Sequence, residues 1–228
     1  MYRSSPEGRT FEVPEFTLEK GEGVFVSADR GEDARLFLRA LASLAPPLSG
    51  IFSYRGQYLE GAGYRGLLPY KRKVGYIGAD SVLLCNRSLG ENLVFARKYF
   101  EEDSGHQDIL SLCRFFGIEE KLCHRPAAAN PEDVRLALIV RELCKNPEIL
   151  LVERPDHELD VWRYHKFLEI LRTRREQQGT ALVLYSMDQT AGTLCNRAVS
   201  IENGRLYGSS KEIPAGPRPG EGDVIAWN

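Results

Sequence analysis

The 228-residue sequence predicts an α/β fold: a parallel sheet covered on both faces, an antiparallel β piece toward the N-terminus, and an inserted helical lobe. Three observations carry this. Glu148-Ile149-Leu150-Leu151-Val152 and Thr180-Ala181-Leu182-Val183-Leu184-Tyr185 are continuous apolar runs separated by a helical pattern from Trp162 to Arg174. Strands of that kind are buried on both faces, as in a sheet wrapped by crossover helices. The segment from Phe11 to Ser27 instead alternates and turns, and the stretch from Leu89 to Lys145 reads as helix.

In chain order, Phe11-Glu12-Val13 and Phe16-Thr17-Leu18 alternate, the segment from Glu19 to Gly23 is a turn, and Gly23 to Ser27 is a short buried strand. Ala34 to Leu44 has helical spacing and stops before Pro46-Pro47. Gly50 to Gly56 is hairpin-like, and Val74-Gly75-Tyr76-Ile77 is the next strand. Within the helical stretch, Leu93 to Tyr99 and Ile109 to Phe116 are amphipathic. Pro131 opens a longer helix through Cys144, with Asn130 as its N-cap. Arg197 to Ile201 and Gly204 to Tyr207 form a final hairpin about Asn203-Gly204. From Lys211 onward proline and glycine dominate, so a loosely packed tail is expected. The division is 1–86 for the β subdomain and the first half of the core, 87–146 for the helical lobe, 147–210 for the second half of the core, and 211–228 for the tail.

Composition sets few limits. Hydrophobic residues make up 43% and charged residues 27%, as in ordinary globular chains, and the net charge is −2. No excess of positive charge marks a nucleic-acid binder, and the Lys71-Arg72-Lys73 and Arg172 to Arg175 clusters read as solvated faces. Five cysteines without paired spacing fit reduced, mostly buried thiols, and no ligand spacing supports a metal site. No apolar run opens the chain or approaches about 18 residues. Neither a signal peptide nor a membrane span is therefore expected.

The order of elements resembles the ATP-binding (ATPase) domain of ABC transporters from Phe11 to Tyr207, a fold of the P-loop NTPase type. The resemblance rests on the Gly21-Glu22 turn before the first core strand, Ser49-Gly50-Ile51 after the first helix, and Val74-Gly75-Tyr76-Ile77 at the Q-loop strand. Asn86 to Asn92 resembles the entry to the helical lobe, Arg141-Glu142-Leu143 with Asn146-Pro147-Glu148 the end of the signature helix, and Ile201 to Arg205 the closing turn. Arg125-Pro126-Ala127 and the compact lobe are similar to the ATPases of bacterial phospholipid-trafficking importers.

The resemblance also says which chemistry to look for. A P-loop needs glycines for phosphate approach, a lysine, and a hydroxyl on magnesium. The segment from Ser27 to Arg35 carries Asp29, puts Asp33 at the lysine position by spacing, and puts Ala34 at the hydroxyl. Exchanging a positive for a negative charge at ~4 Å costs roughly twice the ~4 kcal/mol of one pair at an effective dielectric of 20. Ala79 stands at the Q-loop glutamine, Asn130-Pro131-Glu132 in the signature loop, and Met187 at the switch histidine. Glu153 is kept at the metal-holding acid, but the catalytic carboxylate is Arg154, and a guanidinium accepts no proton at neutral pH. Arg154 is expected to pair with Asp29, Asp33 or Glu153.

On these residues we expect an inactive ATPase-like subunit, not an enzyme, needing neither ATP nor magnesium. Its role would be scaffold or regulator of a membrane transport complex, with lipid as the cargo that the resemblance to phospholipid-trafficking importers implies. A divergent ATPase with residual activity is the first alternative; a soluble sensor of a cation or basic peptide at the acidic loop is the second. The partner implied is a transmembrane permease docking in the Q-loop groove on Ser81, Val82, Leu83, Leu84 and Asn86. A second ABC ATPase or a second copy is a further partner, nucleic acid is not, and the implied place is the cytoplasmic face of the membrane.

Overall fold

The computed structural model describes residues 2–4, 9–45, 49–59, 61–99, 106–208 and 223–227. Its first half runs β1 (Tyr2–Ser4), β2 (Arg9–Phe11), β3 (Phe16–Glu19), β4 (Gly23–Ala28), α1 (Gly31–Leu41), β5 (Phe52–Tyr54), β6 (Gln57–Tyr58), α2 (Tyr64–Lys73) and β7 (Val74–Ile77). The lobe holds α3 (Leu89–Tyr99), α4 (His106–Phe116) and α5 (Pro131–Leu143). Then come β8 (Ile149–Glu153), α6 (Val161–Gln178), β9 (Ala181–Tyr185), β10 (Arg197–Glu202), β11 (Arg205–Gly208) and β12 (Asp223–Trp227).

The central sheet has the order β11-β10-β4-β9-β8-β7. All neighbours in it pair parallel except β10 with β11. The β10–β11 hairpin turns at Asn203 and Gly204, both at positive φ (51° and 77°), as a two-residue turn between twisted strands requires. A second sheet, β3-β12-β5-β6, is antiparallel throughout. The expected tail is corrected here: residues 223–227 are a strand seated between β3 and β5, and the rest of it lies outside the described residues. Five residues with Val, Ile, Ala and Trp complete that sheet despite the Pro/Gly-rich stretch before them.

The apolar runs serve two cores because side chains on a strand alternate in direction. Ile149, Leu151, Ala181, Val183, Val24 and Val26 pack on the face shared with α1 and the antiparallel sheet. Leu150, Val152, Leu182, Leu184 and Phe25 pack on the opposite face with α5, α6 and the lobe. All five residues of β8 and of β9 are buried.

Helix α1 begins a turn earlier than its apolar spacing suggests and ends at Leu41, with Ser43 at positive φ just beyond. Helix α2 has no counterpart in the sequence reading, because Gly66 and Pro69 interrupt any helical pattern. Its one buried residue, Tyr70, stacks edge-on against Phe52 and Tyr54, and its hydroxyl donates to the Leu41 carbonyl. The five cysteines are free thiols; Cys113 and Cys195 are buried, while Cys85 and Cys123 are exposed, against the expectation of mostly buried ones. Burial pushes the Cys113 thiol up to about 11 and Cys195 to about 12, so neither is a thiolate near neutrality.

Phe37 on α1 is fully buried and touches the rings of Phe11 (centroids 6.0 Å) and Phe16 (5.0 Å). Phe37→Ala should therefore destabilise the chain by about 3–5 kcal/mol through lost transfer energy and a cavity. A fall in the urea midpoint at unchanged slope is the measurement that checks it.

Candidate functional site

The carboxyl ends of β4, β8 and β9 and the N-terminus of α1 meet at one edge of the central sheet. In open α/β sheets this is where ligands bind. Strand β8 ends on Glu153, whose side chain is only 1% exposed. The Glu153 carboxylate accepts from the Arg35 Nε on α1 (2.8 Å), the Ala79 N–H (3.0 Å) and the Tyr76 hydroxyl (3.4 Å). The hydrogen bond to Glu153 holds the Arg35 guanidinium above its ordinary range, and burial beside Glu153 does the same for the Tyr76 phenol.

Beneath this cluster lies Arg135, which is 1% exposed although it sits on the apolar face of α5. Its Nη1 donates to the Gly78 carbonyl (2.7 Å) and its Nη2 to the carbonyls of Glu153 and Arg154 (both 3.1 Å). Burial lowers its affinity for the proton, with Glu158, Glu153 and Asp156 working the other way. Above the cluster, Tyr185 closes β9: a Cβ on Gly31 would lie 3.0 Å from its hydroxyl. Burial raises that phenol, while Arg154 and, more weakly, Arg35 pull it down. Gly31, Arg35, Glu153, Arg154 and Tyr185 thus surround one place at the start of α1.

The residues singled out by sequence divide between this place and others. Ala79 is here through its backbone, and so is Glu153. Arg154 is here too, but it pairs with none of the three acids expected; its Nη2 meets Asp156 at 3.2 Å. Its left-handed backbone (φ 48°) and its N–H bond to the Tyr185 carbonyl (2.7 Å) turn it away from Glu153. Asp29 faces elsewhere and accepts the Asn203 N–H at 3.0 Å. Asp33 and Ala34 are buried on α1, so the side chain that α1 offers to Glu153 is Arg35 and neither of these. Ser27 donates to the Val199 carbonyl (3.2 Å), and Met187 is exposed, with its sulfur accepting from Tyr185 (3.5 Å).

The signature-like loop is bound to the start of α6. Asn130 is the N-cap residue of α5, without a side-chain cap bond, and Pro131 is its first helical residue. Glu132 accepts the Asp160 N–H (2.8 Å) and pairs with Arg163. Asp160 in turn caps α6 through the Arg163 N–H at 2.7 Å. Sequence reasoning missed Arg35, Arg135 and Tyr185. Only Arg135 left a readable signal, an arginine within the apolar run from Val134 to Val140.

Of the proposed docking residues, Val82 (77% exposed) and Leu84 (45%) face outward, and Ser81 and Asn86 are not buried. Leu83 is corrected to an interior residue of the lobe core. Beside Val82 opens a cavity of about 360 Å³, lined by Arg39, Leu44, Tyr76 and Lys145 among others. Its walls are held by Arg39–Asp80 (2.6 Å), Arg141 to the Val82 carbonyl (2.9 Å) and Lys145–Glu142 (2.8 Å).

The magnesium ion that the fold implies does not fit these residues. Magnesium requires oxygen ligands in near-octahedral array. Around Glu153 the structure supplies a guanidinium, an N–H and a phenol O–H, all donors turned toward the carboxylate. Arg135→Met should free three carbonyls at once and cost at least about 2 kcal/mol, read as a lower thermal midpoint with loosened protection of the Gly78 and Arg154 amides in hydrogen exchange.

No protein-family model matches the chain. Among curated proteins it is 29% identical over 208 residues to the molybdate/tungstate import ATP-binding protein WtpC of Thermococcus kodakarensis, covering 89% of this chain and 61% of that protein. It is 24% identical over 195 residues to the lipoprotein-releasing system ATP-binding protein LolD of Psychrobacter arcticus, covering 83% and 86%. A solved ATP-binding subunit of an ABC transporter superposes with a TM-score of 0.80 at 22% identity, covering 91% of this chain and 87% of that one. The chain thus spans about three fifths of the length of WtpC. These relatives are named ATP-binding proteins, and that overturns the expectations of an inactive subunit, of no enzyme and of no nucleotide. By sequence this chain is similar to proteins named as ATP-binding parts of import and release systems, and it shares the fold of a solved ATP-binding subunit of an ABC transporter.

Proposed function

We propose that the chain is a divergent ATP-binding subunit of a membrane transport complex, an ATPase with residual activity. The observation that carries this reading is the match over 208 residues to a protein named for ATP binding. The geometry supports it: Glu153 ends β8 directly beside α1, and the N–H groups of Gly31 and Glu32 open that helix ahead of those of Asp33 and Ala34, which donate to the Arg30 carbonyl (3.1 and 3.5 Å). Such a helix end favours phosphate. Activity would be slow, because Arg154 accepts no proton and Glu153 is held by Arg35. Stabilisation of charge on the phosphates would come from guanidinium groups, which suit phosphate oxygens geometrically.

The exposed Val82 and Leu84 at the mouth of the cavity suit an apolar segment of a permease. That partner places the chain at the cytoplasmic face of a membrane; no helix among the described residues is long and apolar enough to cross one. A second cassette, or a second copy of this chain, is the other partner we assign to it. The LolD name supports a lipoprotein cargo, whereas the WtpC name supports an oxyanion.

Isothermal titration of the full chain with ATP should show saturable binding, and phosphate release should be slow and lost in Glu153→Gln. Absence of any saturable binding at millimolar ATP would sink the reading. Val82→Asp with Leu84→Asp should abolish copurification with an integral membrane protein while leaving ATP binding intact; retained copurification would remove the docking surface.

A further inference from the structure

Both carboxylate oxygens of Glu153 are already engaged by hydrogen-bond donors. One oxygen holds Arg35, and the other receives Ala79 and Tyr76 at the far end of a nearly fully buried strand. A nucleotide arriving at the start of α1 still brings several negative charges that need a counter-charge. The cation that the structure holds on Glu153 is Arg35. Its Nε is committed to Glu153, but its side chain is 41% exposed, and a guanidinium carries further donors on the opposite edge of the same plane. It sits one turn into α1, next to the N–H groups of the first turn. Arg154 faces the same tyrosine from the other side, with 41% of its side chain exposed.

We propose that Arg35, anchored on Glu153, supplies to the nucleotide phosphates the positive charge that a divalent cation would otherwise supply, so that this chain binds nucleotide without a divalent cation. This rests on the ATP-binding reading above and specifies how that site works. Glu153 is then a positioning residue, fixing the guanidinium plane so that its free edge meets a phosphate. Arginine suits this role because its fork is planar and always charged. A lysine would provide a point charge without the second, parallel donor.

The test is isothermal titration of the full chain with ATP, in excess EDTA and in millimolar magnesium, for the native protein, Arg35→Gln and Arg35→Lys. The native dissociation constant should agree within about threefold between the two buffers. Arg35→Gln should weaken binding roughly tenfold or more in both, the loss expected for a charged hydrogen-bonding group, and Arg35→Lys should recover part of it. Binding that appears only with magnesium overturns the proposal while leaving the ATP-binding reading intact. Undiminished binding by a folded Arg35→Gln also overturns it. Absence of binding in both buffers removes the ATP-binding reading and this proposal together. The comparison of buffers on the native protein needs no variant, so it decides even if Arg35→Gln does not fold.

Discussion

The guanidinium of Arg135 is the contact on which the functional edge of this molecule depends. Strands β7 and β8 both end at this edge, and each leaves carbonyls that no longer pair within the sheet. Buried carbonyls without partners are costly, so something must donate to Gly78, Glu153 and Arg154. Arg135 does so from α5, across the interface between sheet and lobe. One side chain therefore sets the path of the Ala79 loop and of the turn after Glu153. A buried arginine is itself expensive, and its lowered proton affinity shows that cost. The arrangement persists because the planar fork reaches three acceptors from one position.

From that anchor the rest of the edge follows. The Gly78 carbonyl is fixed, so the next N–H, that of Ala79, is aimed at Glu153. The Arg154 carbonyl is fixed, so its backbone is held in the left-handed region and its side chain leaves toward Asp156. The β8–β9 pairing then sets Tyr185 beside Glu153, over the start of α1. The docking cavity lies across the same loop, since Asp80 and Val82 form one of its walls. A segment seated in that cavity would thus press on the loop whose backbone holds Glu153.

The core and the order of elements were legible in the sequence because they depend on patterns that neighbours in sequence reveal. The unbroken apolar runs at Ile149 to Val152 and Ala181 to Tyr185 could only be strands buried on both faces. Asn203-Gly204 specified its turn through backbone preference. Helix α2 was not legible, since Pro69 and Gly66 mask a helix held by one tyrosine packed against β5. Strand β12 was not legible either, because its partners are about two hundred residues away. The site was read least well. Spacing alone set Asp33 at the lysine position and Ala34 at the hydroxyl position, and a shift of one or two positions on a helix rotates the side chain by 100° or more. Arg35 points at the carboxylate, and the other two point into the protein.

This shift changes how the unusual residues at the site bear on one another. Taken separately, each looks like the removal of a catalytic part, and their sum suggests an inactive protein. Taken together in space, they are coupled. A carboxylate as buried as Glu153 needs a compensating charge, or the strand end would be strongly destabilised. The positive charge that this buried acid needs comes directly from Arg35. Asp33 is a buried first-turn acid of α1, where a negative charge is favourable at the helix N-terminus. On the proposal made above, Arg35 and Glu153 form one exchange of a metal for a guanidinium. Such an exchange would preserve the positive charge that phosphate requires, so residues that read singly as losses are compatible with the similarity to proteins named for ATP binding.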